Sequence, residues 1–516
     1  MLTKVWSVAS KGLNPIEVEV EVNVASKGFP AFNIVGLATK AVDEAKERVR
    51  TALTNSGIEF PQKKITVNLA PADIPKEGSA YDLPMAVGVL VSSGKIELDG
   101  TKKYFYGEVG LDGKLRHTKG VFLLASLAKE KGINQVFVPR LSANEASVVE
   151  GIKVFPVASL LELIRHFKNE KKIKPLKYVD RGEVLQAAEA EFDLSEVAGQ
   201  EQAKRALEIA AAGGHNLLMV GPPGAGKTML ARALPGILPL LTEPEALEVT
   251  KIYSVTGNIE PGGGLIRRRP FRSPHHTTSR MGLIGGGSQP MPGEISLAHR
   301  GVLFLDEFAE YPRSTLEALR QPLEDGVVNV VRVAGSVKFP AQFMLVAASN
   351  PCPCGYLNHP KKPCTCLPGA ILYYQKRMSG PILDRIDLHV NVPFVEVEKL
   401  RQNISTSKVG TSFTLEVESS EVVRKRVIKA RSVQEQRFKA EKIYSNAEMK
   451  NKQIKKFCEL TPDAERLLLQ ATDKWQLSAR SYFRVIKVSR TIADLAGADL
   501  IEYSHVAEAL QYRMRA

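Results

Sequence analysis

The sequence predicts a multidomain α/β protein that ends in a helical segment, and three observations carry that expectation. Residues 16–24 (IEVEVEVNV) alternate strictly with period two, as a half-buried strand requires. Gly221 to Thr228 (GPPGAGKT) sits directly between an apolar strand, NLLMV, and a helical run, MLARAL. From Glu421 to Ala516 helical periods dominate.

With 516 residues, the chain exceeds what one hydrophobic core usually organises, so two to four domains are expected. Hydrophobic residues at 44% and charged residues at 24% are those of a globular protein, which excludes wholesale disorder and collagen-like repeats. No window offers 18 uncharged apolar residues, and Met1 to Lys11 alternates like a strand instead of opening with a basic segment before an apolar one. A soluble, cytoplasmic protein without a membrane partner is the expectation.

Taken in order, residues 1–170 read as one α/β domain, with helical spacing from Ala41 to Asn55 and further strands at 64–69 and 136–139. Residues 171–192 are charged, contain Pro175 and lack an apolar period, which suits a linker. A second α/β domain follows over 193–395, then a polar connector over 396–420. The helical segment 421–516 carries 20 Lys+Arg against 12 Asp+Glu, so +8 of the chain's net +14 resides there. Such a balance permits a polyanionic partner without demonstrating one.

The nucleotide motif is complete. In GPPGAGKT the residues Gly221, Pro222, Pro223, Gly224, Ala225 and Gly226 let backbone N–H groups close around phosphates, Lys227 reaches the β/γ oxygens and the Thr228 hydroxyl can ligate Mg²⁺. The run GVLFLDEF ends a buried strand in two carboxylates, so Asp306 is expected to hold Mg²⁺ and Glu307 to polarise the attacking water of ATP hydrolysis. Asn350 ends a third apolar strand, where an uncharged amide can orient that water; as a residue before Pro351 it also suits a turn. Arg385, in PILDRIDLH, is either a surface ion-paired residue or a guanidinium offered to a neighbouring subunit.

These motifs resemble those of the AAA+ ATPases, within the magnesium-chelatase-like branch that includes the replicative MCM helicases, and most closely the ComM/YifB family. The resemblance rests on DLSEVAGQEQAKRALEIAAAGGHNLLMVGPPGAGKT, FRSPHHTTSRMGLIGGGSQPMPGEISLAHRGVLFLDE, NPCPCG and LSARSYFRVIKVSRTIADLAG. It implies a sensor-1 role for Asn350, an arginine-finger role for Arg385 and a sensor-2 role for Arg480. It also implies a hexameric homo-oligomer with nucleotide between subunits. The implied architecture is a Lon-like α/β N-terminal domain, an AAA+ P-loop α/β core with a four-Cys insertion and a C-terminal α-helical lid.

Between the P-loop and GVLFLDEF, a segment rich in arginine (Arg267, Arg268, Arg269, Arg272, Arg280) precedes the triple glycine Gly285 to Gly287. Such a loop can line a pore and grip DNA phosphates, or it can be a solvated, ion-paired hairpin; the resemblance favours the pore, since inserts at this place face the central channel in that branch. Vicinal His275 and His276 diverge in direction and make a poor metal pair. Cys352, Cys354, Cys364 and Cys366 form two C-x-C pairs within 15 residues. They suit tetrahedral Zn²⁺, with free thiols or labile disulfides as alternatives, and Lys361 and Lys362 on the intervening loop are placed to meet DNA. Cys458 reads as a core residue.

The segments PKEGSAYDLPM and GEVGLDGKLRHTKGVF resemble the proteolytic domain of Lon. Alignment places Ala80 where the nucleophilic serine belongs and Phe122 at the lysine, with Ser79 one residue away. Neither attacker nor base is left, so a catalytically dead domain is expected. The function the resemblance implies is a ring-forming ATPase that moves on single-stranded or branched DNA, as a branch-migration helicase in natural transformation, with recombination proteins as further partners. A chelatase-like or protein-remodelling motor is the alternative.

Overall fold

The computed structural model describes residues 2–513 except 28, 38, 77, 177–190, 288–289, 333–334, 379, 396–417 and 442. The expected linker 171–192 and connector 396–420 therefore fall largely outside the described residues. Two compact units are formed, Met1–Leu185 with Glu243–Ile266, and Gln186–Thr242 with Arg267–Ala516.

The first unit is built on seven strands: β1 (Leu2–Lys11), β2 (Asn14–Val24), β3 (Ala31–Val35), β4 (Lys64–Ala70), β5 (Tyr104–Phe105), β6 (Gln135–Pro139) and β7 (Lys153–Val157). Their order is β3-β4-β2-β1-β5-β6-β7. The period-two pattern of β2 buries Val18, Val20 and Val22 completely while the intervening glutamates face outward, as alternation demands. Helices α1 (Asp82–Ser92) and α2 (Val121–Glu130) cover the sheet with largely buried apolar residues. The helix expected over 41–55 is interrupted at Glu44 and appears as Lys40–Asp43 and Ala45–Asn55.

One segment departs from the expected boundaries. Residues 243–266 were assigned by sequence to the ATPase core, yet they belong to the first unit. The reason is a buried polar tie: the Glu145 carboxylate accepts from the Phe122 N–H at 2.8 Å and from the Ser254 hydroxyl at 2.5 Å. The Gly120 N–H donates to the Ser254 carbonyl at 3.0 Å, and Leu247 and Leu265 pack against the cluster around Val121 and Leu124. A carboxylate taken out of water is tolerable only where donors replace it, so the helix Glu243–Thr256 is held where those donors are.

The second unit carries α3 (Glu201–Gly213), α4 (Lys227–Ile237), α5 (Ser420–Arg437), α6 (Pro462–Trp475), α7 (Ala479–Ala496) and α8 (Tyr503–Gln511). Its sheet consists of β8 (Leu217–Val220), β9 (Phe271–Arg272), β10 (Val302–Leu305), β11 (Met344–Ser349) and β12 (Leu388–Asn391). All pairs are parallel, in the order β9-β10-β11-β8-β12. Strand β8 lies between strands that follow it much later in sequence, so the loop leaving its carboxyl end opens into a crevice, where α/β sheets bind ligands. The helical segment expected as a lid shares its core with this sheet: Val427, Leu468, Val485 and Val506 belong to one buried cluster with Leu217, Val346 and Val390.

Replacing Glu145 by alanine strands the Ser254 hydroxyl and the Phe122 N–H, a loss of about 1–3 kcal/mol. Hydrogen exchange on the intact chain is expected to show lost protection in the helix Glu243–Thr256 while the sheet of the second unit stays protected. Unchanged protection in that helix would contradict the polar tie.

Candidate functional site

The loop Gly221 to Gly226 joins β8 to α4, and Gly224 and Gly226 stand at φ +76° and +87°, a left-handed geometry that favours glycine. Added Cβ atoms at these two positions would meet nothing within 4 Å, so conformation, not crowding, selects glycine there. The Lys227 ammonium is folded back and donates to the Gly221 carbonyl at 2.6 Å, the Pro222 carbonyl at 2.9 Å and Asn350 Oδ1 at 3.2 Å. Burial pushes its pKa down to about 8, against the pull of the Asp306 carboxylate. These are weak dipolar partners for an ammonium, and phosphate oxygens would replace them with charge.

Asp306 and Glu307 follow β10 at its carboxyl end, beside the P-loop. Asp306 Oδ2 accepts the Thr228 hydroxyl at 2.8 Å, which brings together the two oxygen ligands expected for Mg²⁺. Glu307 adopts φ +50°, and its Oε2 lies 3.1 Å from His276 Nδ1. His276 follows β9, the strand paired with β10, and its ring meets Tyr311 edge-on with centroids 6.5 Å apart. The Tyr311 hydroxyl donates to the Pro274 carbonyl at 2.6 Å and fixes this turn. The sequence places His276 within the basic insert and makes it a poor metal ligand; what it touches is the expected catalytic carboxylate. The signal lies in the β9–β10 pairing, which the short strand FR does not announce.

Arg385 and Arg480 are brought to each other and not to the P-loop of their own chain. Both donate to Glu324, Arg480 at 3.0 Å, and Arg385 also donates to the Pro381 carbonyl at 2.6 Å. The Arg385 carbonyl accepts from Asn216 Nδ2 at 3.0 Å, immediately before β8, whereas the P-loop follows β8. A four-residue strand separates the two ends by about 13 Å. The Arg385 side chain is nearly buried, with 9% exposure, so it is not a projecting finger in this structure.

The basic segment divides. Arg269 was expected to grip DNA, but it donates to the Pro239 carbonyl at 2.9 Å and the Arg300 carbonyl at 2.7 Å. Arg272 was expected to do the same, but it forms a two-pronged pair with Glu294 at 2.6 and 2.7 Å. Both are spent inside the unit, because a planar guanidinium at a strand edge finds two acceptors at once. Arg268 and Arg280 are exposed and Arg267 is half-buried. The rings of His275 and His276 lie with centroids 4.1 Å apart, tilted by 34°.

The four cysteines converge. Their sulfurs all lie within 4.8 Å of one another, with Cys352–Cys354 at 3.4 Å, Cys354–Cys364 at 3.6 Å and Cys352–Cys364 at 3.7 Å. Lys361 and Lys362 rest over the rings of Phe394 and Tyr356. Cys458 is buried beside Met449. In the first unit Ala80 and Phe122 are both buried, and Ser79 donates to Glu108.

Comparison with known proteins fits this geometry. Models for magnesium chelatase subunit ChlI match residues 193–400 and 20–142, and one for the ChlI C-terminal region matches 417–513. "Competence protein ComM" of Haemophilus influenzae is 44% identical over 515 residues, 99% of this chain and 97% of that protein. The chain belongs to the magnesium-chelatase-like ComM/YifB family. "Uncharacterized protein YifB" of Salmonella typhimurium is 43% identical over 517 residues, 99% of this chain and 97% of that protein. "Lon protease 2" of Bacillus subtilis is 28% identical over 167 residues, 29% of each chain. Membership in this AAA+ family implies use of ATP and Mg²⁺, and the P-loop and the Thr228–Asp306 pair fit both. Among the described residues no helix is long and apolar enough to cross a membrane.

Arg269→Ala leaves two carbonyls short of a donor and is expected to lower the midpoint of thermal unfolding, by about 1–3 kcal/mol in stability. Arg268→Ala, at an exposed position, should stay within about 0.5 kcal/mol. Calorimetry on the two variants checks this, and equal midpoints would show that the Arg269 contacts contribute nothing.

Proposed function

We propose that this protein is a ring-forming ATPase that couples ATP hydrolysis to movement on DNA, acting on branched or single-stranded intermediates during the integration of transforming DNA. The observation that carries the reading is the paired Thr228 and Asp306 beside a complete P-loop, in a chain similar over its whole length to a competence protein.

The chain's own residues divide the work. Backbone N–H groups of the P-loop and the N-terminus of α4 hold the phosphates, and Lys227 exchanges its carbonyl partners for them. Bound Mg²⁺ neutralises charge that builds on the transferred phosphoryl group. Glu307, released from His276, accepts the proton of the attacking water, and Asn350 orients that water. Arg385 is tied to the start of β8, away from its own P-loop, and shares Glu324 with Arg480; both therefore serve a neighbouring subunit's nucleotide, and a lone chain hydrolyses poorly.

Grip on DNA falls to Arg267, Arg268 and Arg280, since Arg269 and Arg272 are internally committed. The cysteine cluster is proposed to hold one Zn²⁺. A tetrahedral ion with Zn–S of about 2.3 Å sets sulfur–sulfur edges of about 3.8 Å, close to the 3.4–3.7 Å observed among Cys352, Cys354 and Cys364, while all four sulfurs lie within 4.8 Å of one another. Held by these four thiolates, zinc would cross-link the loop after Asn350.

Three outcomes test these assignments. Lys227→Ala abolishes ATP hydrolysis, while Glu307→Gln retains nucleotide binding and loses turnover by about 10²-fold or more; a Glu307→Gln protein turning over at the parental rate removes that carboxylate from catalysis. Replacing Arg267, Arg268 and Arg280 together weakens binding to unrelated DNA sequences equally and flattens the slope of log K against log salt by about one unit per lost phosphate contact. Stimulation of hydrolysis by unfolded protein but not by DNA would favour the remodelling alternative. Elemental analysis of protein prepared without chelator finds about one zinc per chain, and none in a Cys354→Ser/Cys364→Ser variant.

A further inference from the structure

The two arginines proposed to act on a neighbour's nucleotide share one counter-ion that no sequence motif marks. Glu324 lies on the short helix Arg320–Asp325, and its two oxygens divide between them: Oε2 takes Arg385, Oε1 takes Arg480 at 3.0 Å. The arrangement is unbalanced. Two guanidinium groups meet one carboxylate, Arg484 donates to the Arg385 carbonyl at 2.9 Å nearby, and Arg385 Nε has no hydrogen-bond partner among the described residues. Arg480 remains nearly half exposed, as does Glu324. The cluster therefore keeps net positive charge and spare donors, and it faces solvent through Arg480 and Glu324.

We infer that Glu324 is a positioning residue that stands in for the terminal phosphate of a nucleotide bound to a second copy of this chain. It holds Arg385 and Arg480 paired and pre-arranged, and it is displaced when that phosphate arrives. The inference rests on the reading of the two arginines as acting across subunits. Three physical points support it. A carboxylate and a phosphate oxygen pair accept a guanidinium in the same planar, two-pronged way. The pairing of Arg480 with Glu324 is nearly half exposed on both sides, so its net stabilisation is small and exchange is easy. The near-burial of Arg385 fixes its rotamer beforehand, which lowers the ordering entropy that a long side chain otherwise loses on engaging its target.

The consequence is competition: in every interface the neighbour's nucleotide must outbid Glu324 for the arginines. Removing the charge of Glu324 while keeping its shape should favour the nucleotide. The full-length chain is tested as a mixture. One component carries Lys227→Ala, so its own site is dead but its arginines are intact; the other carries Arg385→Ala, so it binds nucleotide but offers no Arg385. Hydrolysis in the mixture, absent from either component alone, reports the action across subunits.

Adding Glu324→Gln to the Lys227→Ala component is expected to lower the ATP concentration at half-saturation by about two- to fivefold, the size of a half-exposed ion pair. The maximal rate should change little. Glu324→Asp, too short to span both arginines yet still charged, should raise the half-saturation concentration or leave it unchanged and lower the maximal rate. A mixture with no activity in assembled rings, with or without the Glu324 change, overturns the reading of the arginines. Activity that is identical with Glu324 and with Gln overturns the inference while that reading stands. A fall in maximal rate with Gln as large as with Asp also overturns it, since Glu324 would then be structural support and not a competitor.

Discussion

The geometry of the second unit depends on one buried carboxylate, Asp387. It accepts the Asn216 N–H at 3.0 Å, pairs with Arg484 and lies 3.6 Å from His215 Nδ1. Burial alone would raise its pKa, but Arg484 and His215 outweigh burial and hold it far below the usual carboxylate range. A charge in that position is tolerated only because two elements bring partners to it at once: the segment entering β8, with His215 and Asn216, and helix α7, with Arg484. Buried pairs of this kind add little net stability but penalise any arrangement in which a partner is missing. Asp387 therefore fixes register more than it adds stability, and the register it fixes is that of helix α7, with Arg480 at its start, against the turn that carries Arg385.

From the same strand the other constraint propagates in the opposite direction. Strand β8 is anchored at its beginning through Asn216, whose side chain also accepts the Leu345 N–H of β11 at 2.9 Å. At its end the Gly221 N–H donates to the Ser349 carbonyl at 3.2 Å, and Asn350 meets Lys227. The P-loop is thus clamped to β11, the strand just before Asn350, and the Asp306–Thr228 bond clamps it to the end of β10, just before Glu307. A flexible glycine loop gains a defined shape from its neighbours while keeping the backbone freedom that phosphate binding uses.

What the sequence made legible follows from how local each pattern is. GPPGAGKT, GVLFLDEF and the two C-x-C pairs carry their chemistry within eight to fifteen residues, and the structure brings each set together. The period-two run of β2 and the strands around it were equally readable, because alternation is a local property. Contacts that span the chain were not. Arg385 and Glu324 are 61 residues apart, Arg480 and Glu324 156, and neither pairing leaves a trace in spacing. The basic segment shows the same limit in another form: composition gathered five arginines into one class, while tertiary acceptors at Pro239, Arg300 and Glu294 removed two of them. The transfer of 243–266 to the first unit depends on a buried glutamate nearly a hundred residues earlier in sequence, at Glu145.

The distribution of arginines also bears on the proposal that a single chain is an incomplete catalyst. At its own P-loop the nearest cation described is Lys227, which burial has already made a weaker base and which phosphates must win from backbone carbonyls. One ammonium and one metal ion leave part of the spreading negative charge of phosphoryl transfer without a fixed partner. The guanidinium groups proposed to complete that field are held elsewhere: the Arg385 backbone is tied to Asn216 at the start of β8, and Arg385 and Arg480 share Glu324. A sheet with its nucleotide at one end and its arginines at the other can satisfy both only by repetition, each copy presenting its arginine end to the next copy's phosphate end. Such head-to-tail contacts close into a ring when the rotation between copies divides a full turn evenly. If the arginines act across subunits as proposed, assembly and hydrolysis are two descriptions of the same contact.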